Sequence, residues 1–426
     1  MSSSSEEIAL AAEAEIQTTA SPWGPRMAIL AVASALFMQS IDSTALSTAL
    51  PTLARAFATN PIHLKLALTS YIMALAVFVP ASGWAADRFG SRRVFMAAMV
   101  VFLLGSVLCG LSQSLAQLVG SRILQGAGGA MMTPVGRIIV VGSHPREQLL
   151  KAMVWLTTPA MLGPIVAPPL SGFILSVADW PWIFYINVPV GIAGMIAVRR
   201  FVPRKRLPHP GRFDGRGFAL AAVAISAMMI GAESVGVDLL PVWAQILAWT
   251  IAIAAGVSYL RHARVMERPV LNLNLLKVRT LSVNQTGGSL MRMTLGATPF
   301  LLPLLLQAGL GWSPLKAGLV TMSSAFGSLG ARFGAQSLIR KFGFRLTLIA
   351  TSLVGGLVIM APGWFRPSTP VVVIVVMLAL GGWLRSNHLT STLAFADIPD
   401  DKVSQASSLT SVVQQMAQAL GIPSPA

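Results

Sequence analysis

The chain has 426 residues, of which 54% are hydrophobic and only 11% charged, and its mean hydropathy is +0.70. Soluble domains carry about 25% charged residues, so this composition excludes a water-soluble globular protein and is that of a membrane protein. The formal net charge of +16 would point a soluble protein toward nucleic acid; here the basic residues cluster beside apolar runs, which excludes that partner.

Residues 1–26 open with a polar, acidic stretch lacking the basic-then-apolar order of a signal peptide, and read as a disordered tail. Crossing a bilayer takes about 20 mostly apolar residues. Runs of that size fall at 27–50, 64–86, 94–113, 115–141, 152–177 and 182–201 (spans 1–6), then 217–236 and 241–260 (spans 7 and 8). Four more lie at 281–307, 316–338, 346–365 and 370–394 (spans 9–12), and a thirteenth begins at 404–421 and stops short. Polar linkers at 200–216 and 261–280 bracket spans 7 and 8.

With the N-terminus placed inside, the inner segments collect Arg88, Arg92, Arg93, Arg146, Lys151, the run from Arg199 to Arg216, the group from Arg261 to Arg279, and Arg340, Lys341, Arg345 and Lys402. Outer segments hold only Arg55, Lys65, Lys316 and Arg366. By the positive-inside rule this bias orients the protein with a cytoplasmic N-terminus. The charge is an orientation signal, so the lipid bilayer is the partner.

A repeat runs through the chain. DRFGSRR after span 2 and IRKFGFR after span 10 align, and one common offset relates Phe89 to Phe342, Gly90 to Gly343, Arg92 to Arg345, Pro61 to Pro314, and Gly128–Gly129 to Gly381–Gly382. Homologous transporter halves leave this signature. Because span 2 corresponds to span 10, the period is eight spans, and spans 7 and 8 are an insertion. The expected organisation is a tail at 1–26, a six-helix bundle at 27–201, a linker with inserted hairpin at 202–262, and a second bundle at 263–426 that ends within span 13. The fold class is therefore all-α and polytopic, with two pseudo-repeated six-helix bundles, a two-helix insertion and an incomplete last part.

Individual motifs sharpen this. Span 1 carries IDSTALSTALP; GWAADRFGSRR follows span 2; span 4 holds RILQGAGGA; WPWIFYINVPVGI opens span 6; LLLQAGLGWSPLKAG covers the span 9–10 turn. Together they resemble the major facilitator superfamily, and within it the fourteen-span drug:proton antiporters of the EmrB/QacA type. The resemblance implies a secondary transporter that exports small hydrophobic or amphiphilic compounds against protons from the inner membrane by alternating access. It assigns the acid of the first-span signature to Asp42, with Pro51 closing that span. The loop motif falls on Gly83, Asp87, Arg88, Gly90, Arg92 and Arg93, as a conformational switch, and the buried-arginine motif on Arg122, Gln125, Gly126 and Gly129. In span 5 the antiporter motif Gly-Pro-x-x-Gly-Gly is kept in size but altered, reading Ala167, Pro168, Ser171 and Gly172. The resemblance leaves room for a periplasmic adaptor, which no residue specifies. A transporter of one specific metabolite, or a non-transporting remnant or sensor, are the alternatives.

The residues themselves support a proton site. A mid-membrane carboxylate is expensive unless it meets a partner or an aqueous cavity. At 1.5 Å per residue, Asp42 stands roughly 22 Å above the inner edge of span 1 and Arg122 roughly 10 Å below the outer edge of span 4, which puts them at similar depth. Burial favours the protonated acid and a nearby cation favours the carboxylate, a balance suited to loading and releasing a proton. Arg292, with Asn284 and Gln285 below it in span 9, is a candidate substrate contact, as is Gln125. Glu233 reads as a boundary marker at the outer end of span 7, while Arg332 and Arg385 snorkel near inner ends. Gly163, Ala167 and Ser171 recur every four residues, a spacing that lets another helix approach. Pro164 and Pro168 permit bending between bundles. The scattered histidines offer no metal spacing, and no hydrolase, metalloprotease or nucleotide-loop motif occurs, so no enzyme activity and no cofactor is expected.

Overall fold

The computed structural model describes residues 24–143, 148–203, 211–235, 240–267, 269–384, 397–398 and 403–421. Most of the tail, Arg385 and Lys402 lie outside these residues. Helix α1 (Gly24–Ala56) already includes the last residues assigned to the tail. Span 2 is α2 (Lys65–Phe78), one 3₁₀ turn, and α3 (Ser82–Phe89). There follow α4 (Ser91–Gly110), α5 (Leu115–Ser143), α6 (Leu149–Val177), and the broken pair α7 (Trp182–Tyr185) and α8 (Asn187–Phe201). The hairpin is α9 (Gly215–Glu233) and α10 (Val242–Val265), reaching beyond residue 262; then come α11 (Arg279–Leu304), α12 (Pro314–Met360), α13 (Val371–Leu384) and α14 (Val403–Leu420).

Eight of these helical segments are long and apolar enough to cross a membrane, and two shorter apolar helices add to them. Their outward faces are greasy: Trp243, Ile246, Ile253, Leu353 and Leu357 are all exposed. In water such surface would drive aggregation; in a bilayer it meets acyl chains. The protein is an integral membrane protein.

One sequence expectation changes in detail. Pro51 lies inside α1 and does not close it. A proline removes a backbone donor and frees a carbonyl one turn earlier; nearby, Gln307 donates its side-chain amide to the Thr48 carbonyl at 2.8 Å, so the irregular turn is tied to the far part of the chain. Spans 10 and 11 are the two arms of α12, separated by a break at Gly343 (φ 74°, ψ 165°), as the sequence indicates. Gly90, between α3 and α4, has nearly the same conformation (φ 88°, ψ 130°). Positive φ strains residues with a Cβ, which explains why both repeats place glycine at this turn.

The inserted hairpin sits over the seam between α2 and α14. Ala221, Ile225 and Met229 of α9 and Tyr259 of α10 form one apolar cluster with Ala76 of α2 and Val412 and Ala419 of α14. At one end a buried ion pair fastens it. The Lys65 ammonium lies 3.1 Å from Glu233 Oε2 and donates to the Glu233 carbonyl at 3.1 Å. Glu233 is thus a structural partner and not merely a boundary marker, and Lys65 is fully buried. At the other end, Trp84 Nε1 donates to the Gly211 carbonyl at 3.0 Å and its ring packs on Phe213 at 4.7 Å. Asp214 caps α9 by accepting from the Gly217 amide at 2.8 Å and meets His262 Nε2 at 2.7 Å. Removing one member of a buried pair strands the other, at about 3–5 kcal/mol. Lys65→Met is therefore expected to lower the melting temperature of the purified protein far more than the double variant Lys65→Met/Glu233→Gln. Equal losses for both would contradict the pairing.

Candidate functional site

Asp42 and Arg122 meet directly. Arg122 Nη1 donates to Asp42 Oδ2 at 2.6 Å, and both side chains are buried, Arg122 completely. α1 and α5 cross here with opposite chain directions, as the depth estimate requires. The carboxylate is saturated by amides: Gln125 Nε2 donates to Oδ1 at 2.8 Å and Asn187 Nδ2 donates to the same oxygen at 2.9 Å. Arg122 also donates to Gln125 Oε1 at 2.7 Å and to the Ala67 carbonyl at 3.2 Å, and its guanidinium lies 4.2 Å from the Tyr71 ring centre. Asn187 at the start of α8 is held by Ser106 Oγ at 2.9 Å, whose hydroxyl donates to the Phe184 carbonyl at 2.9 Å. A buried ion pair needs hydrogen-bond partners for its other polar atoms; most have one here, while Arg122 Nη2 has none among the described residues.

One cavity adjoins the pair, and a second shares part of its lining. The first, of about 410 Å³, is lined by Arg122, Tyr71, Ser40, Ser43, Thr44 and Ser47 from one half, and Gly296, Pro299 and Gln418 from the other. The second, of about 790 Å³, runs toward the Gly90 end, past Arg137, Gly83 and Ser91, and is closed on its far wall by Ser407, Ser408, Ser411 and Gln414 of α14. They share Gln39, Leu75, Thr133, Arg137 and Gln415. Asp42 lies just behind the wall, with its helix neighbour Ser43 in the lining.

Other candidates fall elsewhere. Gln125 belongs to the Asp42 network and lines neither cavity. Arg292, Asn284 and Gln285 are also absent from both linings. All three are buried, and Gln285 donates to Thr410 Oγ1 of α14 at 2.7 Å. Arg292 Nη1 lies 3.5 Å from Gln285 Oε1, so these two side chains belong to the α11–α14 seam, while both amide atoms of Asn284 lack a hydrogen-bond partner among the described residues. The span-5 stripe also turns away from the junction of the halves: Gly163 abuts Ser40, and Ser171 donates to the Ala45 carbonyl at 2.9 Å, both on α1. The junction runs along the neighbouring face, where Gly172 meets the backbone of Pro314 and Leu315, and Gly318 meets that of Pro168. In the loop motif, Gly83 lines the larger cavity, Arg92 donates to the Arg199 carbonyl, and Arg88 and Arg93 are exposed. Asp87 is half-buried and makes no ion pair among the described residues.

Sequence reasoning passed over Asn187, Ser106 and Arg137. Asn187 is the lone amide in the apolar run WIFYINVPVGI, and Arg137 is an ionisable residue within a span; either feature was a usable signal.

A bundle of apolar helices, a buried charged pair mid-membrane and a polar cavity between its halves define a secondary transporter. The Major Facilitator Superfamily profile matches residues 32–422, and the chain belongs to that superfamily. Relatives provisionally named multidrug resistance protein MdtD occur in Escherichia fergusonii, 39% identical over 410 residues, and in Escherichia coli strain SE11, 38% identical over 410 residues. Each alignment covers 94% of this chain and 85% of the relative. Among solved structures the fold is similar to a bacterial homolog of the human lysosomal transporter Spinster, with TM-score 0.63 and 16% identity over 94% of this chain and 81% of that one. It is also similar to a D-xylose–proton symporter, with TM-score 0.61 and 15% identity over 92% and 88%.

Proposed function

We propose that the protein is a proton-coupled antiporter of the inner membrane that exports small hydrophobic or amphiphilic molecules by alternating access, with its N-terminus and both hairpin linkers in the cytoplasm. The observation that carries this is the buried Asp42–Arg122 pair behind the wall of the inter-half cavity. Protonating Asp42 removes the charge that holds Arg122, and the freed guanidinium then bears on the cavity that it lines. Substrate arriving there and a proton arriving at Asp42 thus act on the same arginine, and linkage makes each disfavour or favour the other reciprocally.

Alternating access supplies the rest. The halves touch where Gly172 and Gly318 let backbones approach, while the larger cavity leads to the Gly90 end. With the N-terminus inside, this is a state open to the cytoplasm. The switch role given to Gly83, Asp87, Gly90 and Arg92 rests on their position at that mouth, where Gly90 provides a turn no other residue adopts without strain.

The test is flux in proteoliposomes loaded with the purified chain, with an imposed pH gradient and a panel of labelled lipophilic dyes. Uptake driven by the gradient and collapsed by a protonophore supports the reading. Gradient-independent equilibration of every dye, or none at all, would sink it.

A further inference from the structure

The cavity differs from what a binder of cationic compounds needs. A cation is held by a carboxylate or by the open face of an aromatic ring. Among the described residues lining either cavity there is no aspartate or glutamate. The aromatic residue there, Tyr71, already has Arg122 over its ring. Arg122 is neutralised by Asp42. That leaves Arg137, which lies in both linings and whose described contact is a neutral hydroxyl, Ser407 Oγ, at 3.4 Å. Around it stand Thr133, Ser411 and Gln415, side chains able to donate to further oxygens.

We propose that this cavity selects substrates carrying an anionic group (a carboxylate, sulfonate or phosphate on a small organic body), with Arg137 as the counter-ion. The inference rests on the transport reading only in taking the cavity as the substrate path. A guanidinium in a partly enclosed cavity gains more from an oxyanion than it would in bulk water, and can grip it with two parallel N–H donors. The apolar wall residues Leu75, Val79, Ile138 and Met153 would hold the organic body. The reading in which Arg137 merely reaches water through the open mouth predicts no preference between charge types.

The experiment uses two probes with one aromatic body and opposite heads, naphthalene-2-sulfonate and 2-naphthyltrimethylammonium, titrated calorimetrically into the purified full-length protein. The sulfonate is expected to bind at least about tenfold more tightly, the size of one well-placed ionic contact. Arg137→Gln should erase that preference and Arg137→Lys should keep most of it. Ser411→Asp, adding an acid to the facing wall, should reverse it even if Arg137→Gln is poorly folded. Tighter binding of the ammonium, no saturable binding of the sulfonate, or a preference untouched by Arg137→Gln and Ser411→Asp would overturn the proposal. Asp42→Asn, which frees Arg122 at the cavity wall, should leave the sulfonate preference at least as strong while abolishing proton coupling, so failure of coupling and failure of anion selection are separately visible.

Discussion

Asp42→Asn is expected to abolish pH-driven export while leaving substrate binding, and to lower the melting temperature because it strands the buried Arg122. The amide has nearly the shape of the acid and can still accept from Gln125 and Asn187, but it neither releases a proton nor neutralises Arg122. Flux driven by a proton gradient should fall to the level of empty liposomes. Arg122→Ala should destabilise the fold for the same reason. It leaves a carboxylate buried among two amides with no counter-charge, and stranding one partner of such a pair costs about 3–5 kcal/mol. A stability drop for Arg122→Ala much larger than for Arg122→Ala/Asp42→Asn is the expected pattern. Wild-type pH-driven flux through Asp42→Asn would move the proton site elsewhere.

The second large effect should come from the junction of the halves. A Cβ at Gly172 would lie 2.6 Å from the Pro314 carbonyl oxygen, and one at Gly318 would press on the Pro168 carbonyl. Backbone carbonyls cannot swing aside as a flexible side chain does. Gly172→Val and Gly318→Val should therefore force the two helices apart and disfavour the state open at the Gly90 end. Overpacking of this kind is worth about 1–3 kcal/mol, which shifts a two-state ratio by roughly 5- to 150-fold. The readout is alkylation of Ser411→Cys, in the larger cavity, in a background where the buried Cys109 is replaced by serine. Its labelling from the cytoplasmic side should slow in both glycine variants. Unchanged labelling would mean that this junction does not control access.

What was legible in the sequence followed from one-dimensional physics. Hydrophobic length marks the eight membrane-crossing segments, because the bilayer imposes a similar run on every crossing helix. The equivalence of Gly90 and Gly343 was legible because a positive-φ turn admits little besides glycine, and both residues have it. The depth match of Asp42 and Arg122 followed from helix rise alone, and they pair. Rotation about a helix axis is a different matter. Whether Arg292 faces the cavity or α14, and whether Ala167 and Ser171 face α12 or α1, depends on how helices pack, and a helix that is apolar nearly all round gives no moment to read. Distant partners were equally hidden. Lys65 and Glu233 stand on separate elements, and Asn187 reaches Asp42 from a helix far along the chain.

The central claim is that Asp42 exchanges its proton against substrate. The most direct test is proton release on binding, followed with a pH-indicator dye in weakly buffered detergent solution as a transported compound is added to purified protein. The account predicts that wild type equilibrated at acidic pH, with Asp42 protonated before the compound is added, releases protons in a saturable, stoichiometric way, and that Asp42→Asn binds the same compound and releases none. Equal release from both proteins would contradict it.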